Sequence, residues 1–274
     1  MNKKLKNVLL VSTAAAMASV MAACSSTPVE TIVVETAAIT ETTAAAETSA
    51  VITEPAVTEQ TAGNTDEYET LELDSDFQTY ANTFITNFVE QWFPDYDRDT
   101  SSFEQIIDFA HIHMKLNSFD SIVYEDRGDL TFETFTTEQL QLITTKYFGM
   151  IIFDEQLTAL PTPPESYGDQ PAGPFYDDGR IWYEAADGEM YNRIGIVNSI
   201  VNPTDGTLMI DFSIYTIDMD RYWSLTMDEM RGYYTLTPEQ AEADPLLTRT
   251  GSGTATVGVA QSGEYYLINY SVSN

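Results

Sequence analysis

An α+β domain, with helices first and an antiparallel sheet after them, is the fold class that this sequence predicts. Three observations predict it. Apolar residues recur at spacings of three and four between residues 77 and 148, the period shortens to two after residue 180, and residues 25–67 hold neither an aromatic nor a basic side chain. The folded domain is therefore expected over 69–274, as three helices packed on one face of a curved antiparallel sheet of about five strands.

The first helix follows an N-cap at Asp74-Ser75-Asp76. Its wide apolar face is Phe77, Tyr80, Ala81, Phe84, Ile85, Phe88 and Trp92, and Pro94 stops it. The second opens at Ser101-Ser102-Phe103-Glu104, which reads as a capping box. Its face is Ile106, Phe109, Ala110 and Leu116, widened by Ile107 and Met114. The third is capped by Thr136, covers 137–148, and ends on Gly149 at the position where a left-handed residue closes a helix.

Residues 161–179 are rich in Pro and Gly and read as a long loop. A short strand over 180–184 is closed by Asp187-Gly188, and a long one over 189–201 is turned at 202–206. Its partner, 207–217, sets Leu208, Ile210, Phe212 and Ile214 on one face and Asp211 and Ser213 on the other. The strands 254–260 and 264–272 form a final hairpin across Ser262-Gly263, and 221–250 is irregular with a helical stretch at Thr237-Pro238-Glu239-Gln240. This order of elements from Asp74 to Val272 resembles the nuclear-transport-factor-2-like family, in which a curved sheet wraps a helix. The resemblance implies that fold and no activity.

Lys3, Lys4 and Lys6 form a positive leader, residues 8–20 are apolar and uncharged, and small residues follow. The apolar run is short for a membrane span, which takes ~20 residues. Val20-Met21-Ala22-Ala23-Cys24 resembles the lipobox of bacterial lipoproteins, with Met21 where Leu is commoner. That resemblance implies a signal peptide over 1–23 and a diacylglyceryl thioether on Cys24. Two acyl chains suffice for stable anchoring where one does not. Residues 24–68, made of Thr, Glu, Ala, Ser and Val, bury too little to offset their ordering entropy, so a disordered stalk is expected. As a flexible coil its ends would lie roughly 35–40 Å apart. Lys146-Tyr147-Phe148-Gly149 and Gly263-Glu264-Tyr265-Tyr266-Leu267 also resemble lipoproteins of Gram-positive gut bacteria, which implies placement without an activity.

The formal charge is −31, and loss of the three leader lysines leaves nine basic residues against 43 acidic ones. Such a field repels nucleic acid and anionic lipid, so no nucleic-acid partner is expected and the membrane contact is assigned to the lipid on Cys24. Cys24 is the only cysteine, which leaves the domain without disulfides, thiol catalysis or Cys-rich metal sites.

Asp95, Asp97 and Asp99 alternate on a loop and are a candidate calcium site, since three carboxylates can converge on one hard cation. The loop pattern is incomplete: Thr100 stands where Gly belongs and Ile106 where a bidentate Glu belongs. An acidic loop ahead of a helix N-terminus accounts for the same residues. His111 and His113, the only histidines, point ~200° apart on a helix and cannot share a metal. His113 falls on the apolar face as a hydrogen-bonded core residue, and no partner for His111 can be named, so no catalytic residue is assigned. Acids are plentiful (Asp177, Asp178, Glu184, Asp187, Glu189, Asp218, Asp220, Asp228, Glu229), and no pair stands out as the two carboxylates of a glycosidase. Neighbouring aromatics at 175–176, 182–183, 222–223, 233–234 and 265–266, with Tyr191 and Tyr215, place one ring in the core and offer the other to a sugar or a protein. Phosphate loops, nucleophile elbows and zinc spacings are missing from the sequence.

The expectation is a lipoprotein held at the extracytoplasmic face of the cell membrane. Its domain would bind a cell-wall or dietary glycan, or an envelope protein, without catalysis and without a cofactor, calcium apart. An enzyme acting on envelope glycan through paired carboxylates is the alternative.

Overall fold

The computed structural model describes residues 69–168, 172–186, 191–203 and 206–273. The leader, Cys24 and the acidic segment to residue 68 lie outside them, as do Asp187, Gly188, Glu189 and Asp205. The domain is α+β, as its periodicities require. The single sheet of about five strands is corrected to two antiparallel sheets, neither closed into a barrel.

The larger sheet runs β1 (Glu69–Thr70), β7 (Arg193–Asn202), β8 (Thr207–Ile217), β9 (Leu247–Val259), β10 (Tyr265–Ser273) and β2 (Tyr96–Asp97). The smaller runs β3 (Val123–Arg127), β4 (Leu130–Thr136), β6 (Arg180–Glu184) and β5 (Phe175–Asp177). Two of its hairpins are built by backbone that only certain residues tolerate. Gly128 turns β3 into β4 at φ 61°, and Asp178-Gly179, both at positive φ, turn β5 into β6 in the manner of a two-residue hairpin loop.

Helix α1 (Ser75–Val89) starts where the sequence places it, with the Asp74 carboxylate accepting from the Phe77 N–H at 2.8 Å. It stops before Trp92, which takes a left-handed φ of 55°. In α2 (Phe103–Asn117) the expected capping box is absent. Ser102 is the N-cap and makes no side-chain cap bond, and the Ser101 hydroxyl is engaged elsewhere, accepting from the Asp97 N–H at 2.9 Å. Helix α3 (Thr137–Phe148) has its Thr136–Gln139 capping box and ends on Gly149 at φ 60°. A single helical turn, α4 (Asp154–Leu157), follows, and the irregular 221–250 region resolves into α5 (Met219–Tyr222), α6 (Met227–Tyr233) and α7 (Pro238–Ala243).

Packing is set by α1 against β7. Gly195 is required there, since a Cβ would lie 2.5 Å from an Ile85 methyl group. The main core joins α1, α2, α3 and the larger sheet around Phe88, whose ring stacks on Phe109 at 4.8 Å and meets Phe93, Phe148 and Tyr270. Ile194 and Ile196 alternate with Gly195 and face away from α1. With Tyr215 and Ile217 they form a second cluster that Tyr233 of α6 and Ala241 of α7 cover. Helices therefore lie on both faces of this sheet, and only α1–α3 hold to the expected single face.

Beyond the two residues of β1, the edge of β7 has no strand beside it among the described residues, and polar side chains of α1 take that role. Gln78 Nε2 donates to the Val197 carbonyl at 2.9 Å, Asn82 Oδ1 accepts from the Val197 N–H at 2.7 Å, and Thr86 Oγ1 accepts from the Gly195 N–H at 3.1 Å. Asn82 also donates to the Tyr234 and Leu236 carbonyls at 3.0 and 2.9 Å and accepts from Gln78, so its buried amide is saturated. Replacing Asn82 by Leu strands these partners without water, and a loss of at least ~3 kcal/mol is expected in urea unfolding.

Glu90, just past the end of α1, is 9% exposed, and burial raises its pKa to about 7 against the opposing hydrogen bond from Asn117. In the unfolded chain it titrates near ~4.3. The folded state thus holds this proton more tightly, and its contribution is complete below that lower value and is lost as pH rises through 7. The loss amounts to ~3 kcal/mol between pH 4 and 8. Glu90→Gln is expected to flatten the pH dependence of denaturant midpoints over that range.

Candidate functional site

Helix α2 and one face of the smaller sheet together line a cleft of about 200 Å³. Helical spacing brings Asp108, His111, Ile112 and Lys115 onto the side of α2 that lines it. Glu133 of β4 and Tyr183 of β6 come from the sheet, where antiparallel register sets them directly opposite each other. Glu184, Ala172, Ala186 and Tyr191 complete the rim.

Glu133 organises the cleft. It is 1% exposed, and both of its oxygens are occupied. His111 Nε2 lies 2.7 Å from Oε2, while Lys115 Nζ at 2.9 Å and the Tyr124 hydroxyl at 3.1 Å share Oε1. Burial alone would raise its pKa, but the hydrogen bonds from His111 and Lys115 together outweigh burial and hold it below the usual carboxylate value. A carboxylate so filled is a fixed anchor for its three donors and keeps little acceptor capacity for a ligand.

His111 is buried, and desolvation lowers its pKa more than the hydrogen bond and charge of Glu133 raise it. Its ring stacks on Tyr183 at 3.9 Å with the planes 9° apart, and on Phe135 behind. Tyr183 in turn donates its hydroxyl proton to Asp108 Oδ1 at 2.5 Å. Asp108 is exposed as a residue, yet its carboxyl is desolvated against the cleft wall. Its pKa rises for that reason, opposed by the Tyr183 hydrogen bond and by His111. Burial, then the Asp108 charge, drives Tyr183 well above the ordinary tyrosine value. Glu133 and Asp108 are thus pushed in opposite directions within one cleft.

The residues singled out from sequence fare differently. His113 is the core residue expected, stacked beside Phe109 and packed on Tyr147, with burial first and Lys146 second lowering its pKa to about 4. The convergence expected of Asp95, Asp97 and Asp99 is not found. Asp95 accepts from the Val272 N–H, and Asp97 accepts from the Asp99 N–H and the Asn269 amide, so these aspartates serve the β2–β10 edge. Among the described residues no three of His, Cys, Asp and Glu gather as a metal site. Of the candidate acids, Glu184 reaches the cleft, whereas Asp177 pairs with Arg127, Asp228 with Arg231 and Glu229 with Arg221. Trp182 and Tyr183 are both buried, on opposite faces of the smaller sheet: Trp182 joins Leu130, Phe132 and Phe175, and Tyr183 joins the main core.

Sequence reasoning missed Glu133, Asp108 and Lys115. The spacing of Asp108, His111 and Lys115 marks one polar helix side and could have found two of them. No family model, curated protein or solved structure matches the chain. Function is therefore argued from the site alone. Its chemistry has clear limits, since no Ser, Thr or Cys is among the described residues that line the cleft. Nor, among the described residues, is any helix long and apolar enough to cross a membrane.

Because the ionised Glu133 can only accept, the neutral His111 must carry its proton on Nε2 and leave Nδ1 as a lone pair. At pH 7 the ¹⁵N shifts of His111 are expected to show the Nε2–H tautomer, and Glu133→Gln is expected to change that pattern while leaving His113 as it was.

Proposed function

We propose that this chain is a lipoprotein anchored through Cys24 at the extracytoplasmic face of the cell membrane, and that its domain binds a hydroxyl-rich segment of envelope glycan in the α2 cleft. The basic leader, the apolar run and the lipobox-like Val20–Cys24 segment support the placement. One observation carries the binding reading: the cleft presents donors and acceptors together on a pre-set frame. Lys115 commits one N–H to Glu133 and has others to give, while the Asp108 carboxylate supplies acceptors. Sugar hydroxyls both donate and accept, so they match such a mixed lining, whereas an anion would meet two carboxylates. Because Glu133 holds Lys115 and His111 in place beforehand, little ordering is needed on binding.

A second reading is favoured by the opposed shifts of Asp108 and Glu133: Asp108 as a proton donor in glycan cleavage, beside a carboxylate that stays ionised. Separating the two readings takes one preparation. Calorimetric titration of cell-wall glycan fragments into the full chain should give binding that Asp108→Asn weakens by more than about tenfold at unchanged melting temperature. Release of shortened glycan, abolished by Asp108→Asn, would establish cleavage in place of binding alone. A glycan panel with no binders, together with an envelope protein crosslinked at the cleft, would replace the glycan by a protein. Placement is checked by metabolic labelling with an alkyne fatty acid, which should mark the chain and fail to mark Cys24→Ala.

A further inference from the structure

A second concavity, separate from the α2 cleft and sharing none of its lining, lies between α3 and the β9–β10 hairpin, with a volume of about 760 Å³. It adjoins a smaller one of about 170 Å³ through Lys146, Glu264 and Tyr265. The charges on this groove depart from the rest of the domain. Basic residues are scarce in a chain with 43 acidic ones, and five of them are spent on carboxylates: Lys115, Arg127, Arg180, Arg221 and Arg231. Arg98 and Lys146 have no carboxylate within ion-pair distance among the described residues, and both line this one groove.

The contacts made by each cation are to aromatic or backbone groups, with no ion-paired carboxylate among the described residues. Arg98 donates from Nη2 to the Gly149 carbonyl at 3.2 Å and lies over the Tyr266 ring at 5.5 Å. That ring is itself fixed, because it fills the space above Gly149 and Gly258, where an added Cβ would come within 2.8 and 2.2 Å of it. Lys146 Nζ lies 4.9 Å from the Tyr147 ring centre. Around them stand neutral polar groups, Gln141, Thr145 and Ser262, and one acid, Glu264, which accepts from the Ser262 hydroxyl at 3.0 Å. The smaller concavity adds the rings of Tyr80, Phe84 and Tyr147.

We propose that this groove binds a sugar acid, a saccharide bearing one carboxylate, with Arg98 and Lys146 on the carboxylate, Glu264 and the neutral polar groups on ring hydroxyls, and the tyrosines against the ring face. A polyanion is disfavoured because the chain as a whole carries −31 and the groove offers it only these two cations. A neutral sugar would leave both cations without a partner. A peptide carboxylate would satisfy the cations and could donate N–H to Glu264, but it brings no row of ring hydroxyls for Gln141, Thr145 and Ser262.

The test titrates the full chain with a disaccharide containing one glucuronate, its methyl ester, its neutral glucose counterpart, and a short peptide with a free C-terminus. The glucuronate is expected to bind, and the ester and the glucose form to bind more than about tenfold less well. Lys146→Gln and Arg98→Gln should each weaken glucuronate by a similar factor, added salt should weaken it, and Arg231→Gln, at an ion pair elsewhere on the surface, should not. Since Arg98 also braces Gly149, Lys146→Gln decides the matter if Arg98→Gln lowers the melting temperature. Binding of ester and acid alike, indifference to Lys146→Gln, no binding of glucuronate, or tighter binding of the peptide would each overturn the proposal.

Discussion

The edge of β7 is closed by a helix, and much of the domain hangs on that substitution. A strand edge exposes N–H and C=O groups that invite pairing with another chain. Here β1 covers only the end of the edge, at Val201 and Asn202, and a bulge between Val197 and Ser199 shifts the register beyond it. Gln78, Asn82 and Thr86, four residues apart on α1, then stand where a strand would stand. The same spacing explains why α1 is buried on almost every side: its apolar residues face the core and its polar buried residues face a backbone. Asn82 extends the tie to the Tyr234 and Leu236 carbonyls, so α1, β7 and the segment that follows α6 share one side chain.

That arrangement also fixes α2. Phe88 of α1 stacks on Phe109 of α2, and His113 continues the stack toward Tyr147. With one side of α2 committed to the main core, the other must face the smaller sheet, and the two histidines, two residues apart, divide between these environments. His113 is isolated from any carboxylate partner and kept neutral by burial, then by Lys146, whereas His111 is neutral despite one. The cleft is therefore an extension of the core packing, and its polar frame has little freedom to move.

Legibility in the sequence followed the range of the interaction. Helix α3 could be read almost residue by residue, because Thr136, Gln139 and Gly149 act on backbone within a turn. The β7–β8 meander and the last hairpin were legible from alternation and turn residues. The β3–β4 hairpin was not, since Leu130 and Phe132 serve one face of the smaller sheet while Glu133 and Phe135 serve the other, which erases the period of two. The site was lost for the same reason. The partner of His111 lies 22 residues away on that unread strand, and a lone Glu between Phe132 and Phe135 gives no sign that it collects three donors. The aspartates at 95, 97 and 99 failed in the opposite sense: a sound local pattern was claimed by a distant strand, β10, through Val272 and Asn269.

Electrostatics then separates what the two concavities can hold. In the α2 cleft the ammonium group of Lys115 is tied to Glu133, and the Asp108 carboxylate dominates what a ligand meets. In the α3 groove the balance is reversed, with Arg98 and Lys146 against Glu264 alone. A field that is negative over most of the surface makes such a local reversal selective, because an anion gains only where the cations stand and is repelled elsewhere. On the proposed readings, one glycan carrying both neutral and acidic sugars would meet complementary surfaces at both places, and the shortage of basic residues would then serve discrimination between them.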